Sequence, residues 1–342
     1  MSNKGTRDFS LDAVSGFFIL FVMFGHLMYW SRLFVLDFYA VLLHALTANM
    51  AWFFFKGGMF TKADVGLGLT VRRSFRRLLV PFCVFSAVGL LLYWLDLRTD
   101  GPVSMRGFVA DMAHYFYEKG SFLGNVPMWF LLTLFLVRLL HCGLARLRYA
   151  DVVIALLVLA LYLVRYLGVG GLLDDSRPIY PYLLYTIPMG LVFYWLGYRL
   201  RRVLSLRSVL LASLAVVALL LPWRQLLYDF RSSHVDGDFL LALLYMLASC
   251  IVAIGVARRL FRPLPPKVEP MVAPLRRVLV HFGLHSMDYY CTHWLIITLV
   301  HLSVVETLAV PEGWPCFFVY LLGLVVGLPL ARLLLARTPL RM

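Results

Sequence analysis

His26 closes a line of polar side chains inside an otherwise apolar run, Leu11 to Trp30 (LDAVSGFFILFVMFGHLMYW). Asp12 lies close to four helical turns earlier, about 20 Å along an axis, and Ser15 about three turns earlier, so a helix puts the three on one face. The run is long enough to cross a bilayer, where an ionisable side chain at the centre costs about 2.5 kcal/mol or more and is seldom kept without a task. At 1.5 Å per residue, His26 falls past the midplane, well away from the end carrying Asp12. A neutral imidazole there can take a proton from a hydroxyl, because its ordinary pKa of about 6.5 suits general-base work. The competing reading is a histidine packed between helices and bonded to a backbone carbonyl.

Two further stretches carry chemistry. In TVRRSFRRLLVPF, Arg72, Arg73, Arg76 and Arg77 present one broad cationic face on a helix. That face can hold the phosphates of a nucleotide or coenzyme, although a juxtamembrane helix end is often basic for orientation and lipid contact alone. Lys56, Gly57 and Gly58 precede it. The lysine can snorkel to a phosphate, and the glycines allow close approach to the backbone. Late in the chain, HFGLHSMDYYCTHWLIITLVH places His281, His285, Tyr289 and His293 at four-residue intervals, with Ser286 and Asp288 beside them. The histidine pair in HFGLH has zinc-ligand spacing but no evident third ligand, so no metal is expected. The stripe reads as a wet bundle interior. Asp12 reads as an ion-pair partner of Arg7 or an inner-loop arginine, Trp129 as an aromatic-belt residue, and His44 and Asn49 as polar residues without an assigned role.

The elements that position these residues follow from hydropathy. The 342-residue chain is 62% apolar and carries a formal charge of +14. Ten spans are expected, at 10–31, 35–56, 77–95, 126–146, 150–168, 179–199, 207–223, 238–256, 279–302 and 315–336. Most of the 32 Lys and Arg fall in one set of loops and most of the 18 acids in the other. By the positive-inside rule this gives an all-α integral membrane protein, a bundle of about ten transmembrane helices with both termini inside. The charge is then a topology signal, and no nucleic-acid partner is expected. The polar start MSNKGTRDFS is read as lacking a cleavable signal. Five scattered cysteines suggest no disulfide framework. Residues 96–125 form a long outer connection with an amphipathic piece at Met105 to Tyr117, and the proline-rich 258–277 reads as a semi-rigid inner linker. The whole of 1–342 is expected to be one domain.

Taken in order, these segments resemble the acyltransferase-3 family of bacterial membrane acyltransferases, in particular its branch similar to fucose 4-O-acetylases. The matching motifs are LDAVSG…FGH, FFFKGGMF, RRLLVPF, the Trp129-Phe130-Leu131 triplet, and Ser286, Tyr289 or Tyr290, and His293 in the pattern S-x-x-Y-x-x-H. The resemblance implies O-acylation of a carbohydrate with acetyl from acetyl-CoA, on a cell-surface glycan or its precursor at the inner membrane, with His26 as the catalytic histidine. Two positions depart from the pattern. Ser15 stands where the family carries a basic residue, so either Lys56, Arg7 or an inner-loop arginine supplies that charge or activity is altered or lost, and Gly57 replaces a serine.

Chemistry and resemblance converge on one expectation. Acyl-CoA sets its phosphates against Lys56, Arg72, Arg73, Arg76 and Arg77, and His26 deprotonates the sugar hydroxyl for direct transfer. His293 and Tyr289 shape the site or stabilise the oxyanion, and Asp12, Ser15, Trp129 and Ser286 line the substrate pocket. The rival class is a transporter or flippase for a glycan or lipid-linked sugar, surrounded by membrane lipids and performing no covalent chemistry.

Overall fold

The computed structural model describes residues 7–61, 66–97, 104–166, 186–223, 228–229, 234–235 and 237–338. The first apolar run forms α1 (Phe9–Trp30), opened by Asp8, whose carboxylate accepts from the Ser10 N–H as an N-cap. The second expected span is two helices, α2 (Asp37–Ala45) and α3 (Asn49–Met59), separated by a turn at Leu46–Ala48. The third begins ten residues before its expected start. Here α4 (Leu67–Ser74) continues through a π-turn (Phe75–Leu79) into α5 (Val80–Leu97). Hydropathy begins the span only after the arginines, but the helical backbone continues through them with their charges exposed.

The outer amphipathic piece is α6 (Met105–Lys119), which buries Met112 and packs Phe116 against Phe82 and Phe122. Next come α7 (Trp129–Leu144), α8 (Ala150–Tyr166), α9 (Thr186–Leu200), α10 (Arg207–Leu220) and α11 (Phe239–Leu260). A two-residue antiparallel pairing of Tyr228–Asp229 with His234–Val235 lies between α10 and α11. The 258–277 segment is not a linker throughout. Helix α12 (Glu269–Leu284) starts within it, taking Pro270 in its first turn, where no N–H is needed, and carrying Pro274 inside. Then follow α13 (Ser286–Val300), a second π-turn (His301–Val305) and α14 (Trp314–Leu335).

Among the described residues, six helices or helix pairs are long and apolar enough to cross a membrane: Phe9–Trp30, Asp37–Met59, Leu67–Asp96, Val126–Leu144, Phe239–Leu260 and Trp314–Leu335. Two more, Ala150–Leu163 and Arg207–Leu220, are apolar but shorter. The expected span 179–199 lies partly outside the described residues. That at 279–302 is interrupted at His285, whose φ of −111° and ψ of 19° end one helix and start the next.

Helix α12 packs on α1 more extensively than any other pair of elements in the bundle. Gly16 and Gly283 make this possible. A Cβ on Gly16 would sit 1.8 Å from the Leu279 carbonyl oxygen, and one on Gly283 would sit 1.8 Å from that of Asp12. Such backbone-to-backbone contact is the usual small-residue solution where lipid supplies no hydrophobic drive between helices. The α3–α9 pair uses the same device through Gly58 and Gly197. The close approach permitted by Gly57 and Gly58 is therefore that of α9.

Alanine at Gly16 or Gly283 is expected to cost about 1–3 kcal/mol or more through overpacking. Alanine at Gly143, which has open space around it, should be neutral or stabilising by about 0.5–1 kcal/mol. Thermal unfolding of the three variants in detergent checks this; equal midpoints would show that the crossing is not tight.

Candidate active site

With α12 clamped to α1, the break at His285 sends α13 on alongside α1 in the same sense. Gly283 lies by Asp12 and Gly16, His293 by His26, and His301 by Trp30. The His26 and His293 rings meet at 2.7 Å, Nδ1 to Nε2. Their planes differ by 8° with centroids 5.0 Å apart. With nitrogens this close, that geometry is two imidazoles joined edge to edge in a common plane, the direction in which ring lone pairs point.

The proton positions follow from what each partner can do. His293 Nδ1 is 3.0 Å from the Tyr289 carbonyl oxygen, one turn back on α13. A carbonyl only accepts, so His293 Nδ1–H donates to it. In a neutral ring, Nε2 of His293 is then an acceptor, and His26 Nδ1–H donates to that. The chain leaves Nε2 of His26 as the nitrogen with the basic lone pair. His293 is fully buried (0% exposed), which favours the neutral ring this assignment requires.

His26 forms part of the wall of a cavity of about 900 Å³. The lining is rich in aromatic rings, among them Tyr29, Trp30, Tyr39, Tyr93, Tyr115, Trp129, Tyr290, Trp294 and Tyr320. Polar groups punctuate it: Arg32, Thr47, Asn49, Asp96, His301 and Glu312. Trp294 meets the His26 ring edge to face at 5.1 Å, and Trp30 continues the series at 5.4 Å from Trp294 and 5.0 Å from His301. Tyr290 donates to the Pro127 carbonyl, and Asn125 bridges the Phe85 and Cys291 carbonyls at 3.3 Å each, tying the loop before α7 to α5 and α13.

Of the residues read as site candidates, His26 and Trp129 line this cavity, while His293 stands behind His26 and the Tyr289 carbonyl behind His293. Trp129 is buried and lines the cavity, so it is no belt residue. The Tyr289 hydroxyl points elsewhere, 2.7 Å from His281 Nε2. Ser286 starts α13 and does not line the cavity. Asn49 does line it, whereas His44 is buried against Tyr245 and bonded to the Leu221 carbonyl. Tyr290, the alternative tyrosine of the late motif, lines the cavity; Trp30, Trp294 and His301 carried no distinguishing signal, because aromatic residues are frequent throughout the apolar segments.

Asp12, Ser15 and Lys56 form a separate group nearer the start of α1. Lys56 Nζ lies 3.2 Å from Asp12 Oδ1 and 2.7 Å from Ser15 Oγ. Arg7 Nε holds the other Asp12 oxygen at 2.7 Å, and Trp52 Nε1–H donates to Ser15 Oγ at 3.0 Å. The ammonium from α3 therefore stands directly against Ser15. Arg72, Arg73, Arg76 and Arg77 are all exposed. Among the described residues, no three His, Cys, Asp or Glu side chains converge as a metal site.

An apolar helical bundle with a hydrogen-bonded histidine pair beside an aromatic-lined cavity is the architecture of a membrane protein. A family profile described as an acyltransferase domain matches residues 8–335, and the chain belongs to the acyltransferase-3 family. No curated protein and no solved structure matches it significantly.

Lys56 is 20% and Asp12 7% exposed. Lys56→Met should cost about 1–3 kcal/mol, short of the 3–5 typical of a broken buried pair, because Arg7 remains on Asp12. Combined with Asp12→Asn it should cost less than the sum of the two single changes. Additive losses in a double-mutant cycle would show that the pair is not coupled.

Proposed function

We propose that this protein transfers an acyl group, acetyl in the simplest case, from acyl-CoA to a hydroxyl of a carbohydrate, with Nε2 of His26 as general base. The observation that carries the proposal is the chain from the Tyr289 carbonyl through His293 to His26, which leaves a basic nitrogen beside an aromatic-lined cavity. Aromatic faces with scattered polar groups suit a sugar, whose C–H faces stack on rings while its hydroxyls find hydrogen-bond partners. The family's activity and the resemblance to sugar O-acetylases support the same acceptor. In this reading the protein lies in a bacterial inner membrane as ten spans with both termini inside, and the donor enters from the cytoplasm.

The reaction balances without a further group. The sugar oxygen attacks the thioester carbon as His26 Nε2 takes the hydroxyl proton. The tetrahedral intermediate collapses with cleavage of the carbon–sulfur bond, and the histidine returns the proton to the departing thiolate. The products are a sugar ester and free coenzyme A. His293 accepts the His26 Nδ1–H throughout, which keeps the tautomer fixed and stabilises the imidazolium while it carries the proton. Lys56, held at Ser15, supplies the positive charge that the family places at that position.

His26→Ala should abolish transfer of labelled acetyl from acetyl-CoA to a sugar panel while leaving the melting profile intact. Wild-type rates in that variant would remove the base from the scheme. His293→Leu should lower kcat at least about tenfold with the KM for the donor unchanged. Sugar counterflow without ester formation would instead identify a transporter.

A further inference from the structure

Helix α7 carries Arg138 about 14 Å along its axis from Trp129, inside the apolar run WFLLTLFLVRLLHCGL. Its Nε is buried and has no hydrogen-bond partner among the described residues. One turn further on, His141 is 1% exposed, and its Nε2 is likewise buried without a partner. Tyr194, Trp195 and Tyr198 surround the His141 ring at 4.9, 5.4 and 5.0 Å. Arg201 lies over Tyr198 at 4.7 Å and donates to the Thr61 carbonyl. Two orphaned nitrogens on successive turns of one membrane helix are costly unless something absent from the polypeptide pairs with them.

The neighbouring charges say what that partner is. Helix α7 packs against α4 and the π-turn, which carry the exposed Arg72, Arg73, Arg76 and Arg77. The acids described at this end already hold other cations: Asp8 has Arg258, Asp12 has Arg7 and Lys56, Asp151 has Arg199, and Glu269 has Arg276. Contact with lipid headgroups accounts for four exposed arginines but not for a guanidinium nitrogen shut off from solvent. We infer that Arg138 and His141 form the buried floor of a phosphate-binding site whose rim is the arginine face of α4 and the π-turn. A guanidinium matches phosphate oxygens as a planar fork. Resting on the acyl-CoA reading above, the occupant is the phosphorylated nucleotide end of the donor. The same chemistry would also accept a phospholipid headgroup.

The test is titration of the full-length protein with adenosine 3′,5′-bisphosphate and with coenzyme A. It is run in phosphatidylcholine nanodiscs with and without phosphatidylglycerol, for wild type, Arg138→Gln and Arg138→Lys. Arg138→Gln should weaken nucleotide binding about tenfold or more, with the unliganded melting temperature unchanged or raised, and Arg138→Lys should restore part of the affinity. If phosphatidylglycerol stabilises the wild type and Arg138→Gln removes that effect without touching nucleotide affinity, the phosphate belongs to a lipid. If neither probe distinguishes the variants, the site does not exist. Transfer assays on the same samples keep the two proposals apart. Turnover with a donor KM unchanged in Arg138→Gln defeats the donor site alone, whereas Arg138-dependent phosphate binding without any transfer defeats the acyltransferase reading alone.

Discussion

The 2.7 Å hydrogen bond between His26 and His293 is the interaction on which the rest of the arrangement depends. It joins two helices from opposite ends of the chain, and a lone pair in a ring plane tolerates little rotation or slip. Its register is set nearly three turns away, where Gly16 and Gly283 let the α1 and α12 backbones touch. The interruption at His285 then re-aims the chain so that α13 continues beside α1. A kink in a polar-rich membrane helix looks like a defect in isolation, but here it changes the direction of α13 at the point where His293 is brought into play.

Charge is sorted in space as strictly as packing is. The histidine pair sits among aromatic rings, away from the Asp12 ion pairs. The Asp12 carboxylate, by contrast, has two cations and stays clear of the cavity. The Lys56 ammonium also reaches Ser15 Oγ, so a positive charge stands beside position 15 of the first span. The uncompensated arginines of α4, the π-turn and α7 form a third group, separate from both.

Much of this was legible in the amino-acid sequence, for reasons that differ residue by residue. His26 stood out because an imidazole in a run of phenylalanine and methionine has no cheap explanation, and His293 because four-residue spacing continues a helical face. The break at His285 was hidden for the same reason: the polar period runs through it unchanged, and periodicity does not report a local φ and ψ. The turn between α2 and α3 was equally silent, since neither glycine nor proline marks it. The third span was placed too late because hydropathy stops at Arg77 while backbone hydrogen bonding does not. Arg138 gave no signal in the sequence; the buried, unpartnered Nε distinguishes it. The cavity aromatics could not be selected from a chain in which phenylalanine, tyrosine and tryptophan occur throughout the spans.

The central claim is that His26 Nε2 takes the acceptor's proton. The most direct measurement is an experimental structure with a non-transferable acyl-CoA analogue and a sugar acceptor bound together. The account predicts a sugar hydroxyl within about 3 Å of His26 Nε2, with the thioester carbon adjacent and the His26–His293 bond intact. A hydroxyl and thioester that meet elsewhere in the cavity, with His26 contacting neither, would contradict it.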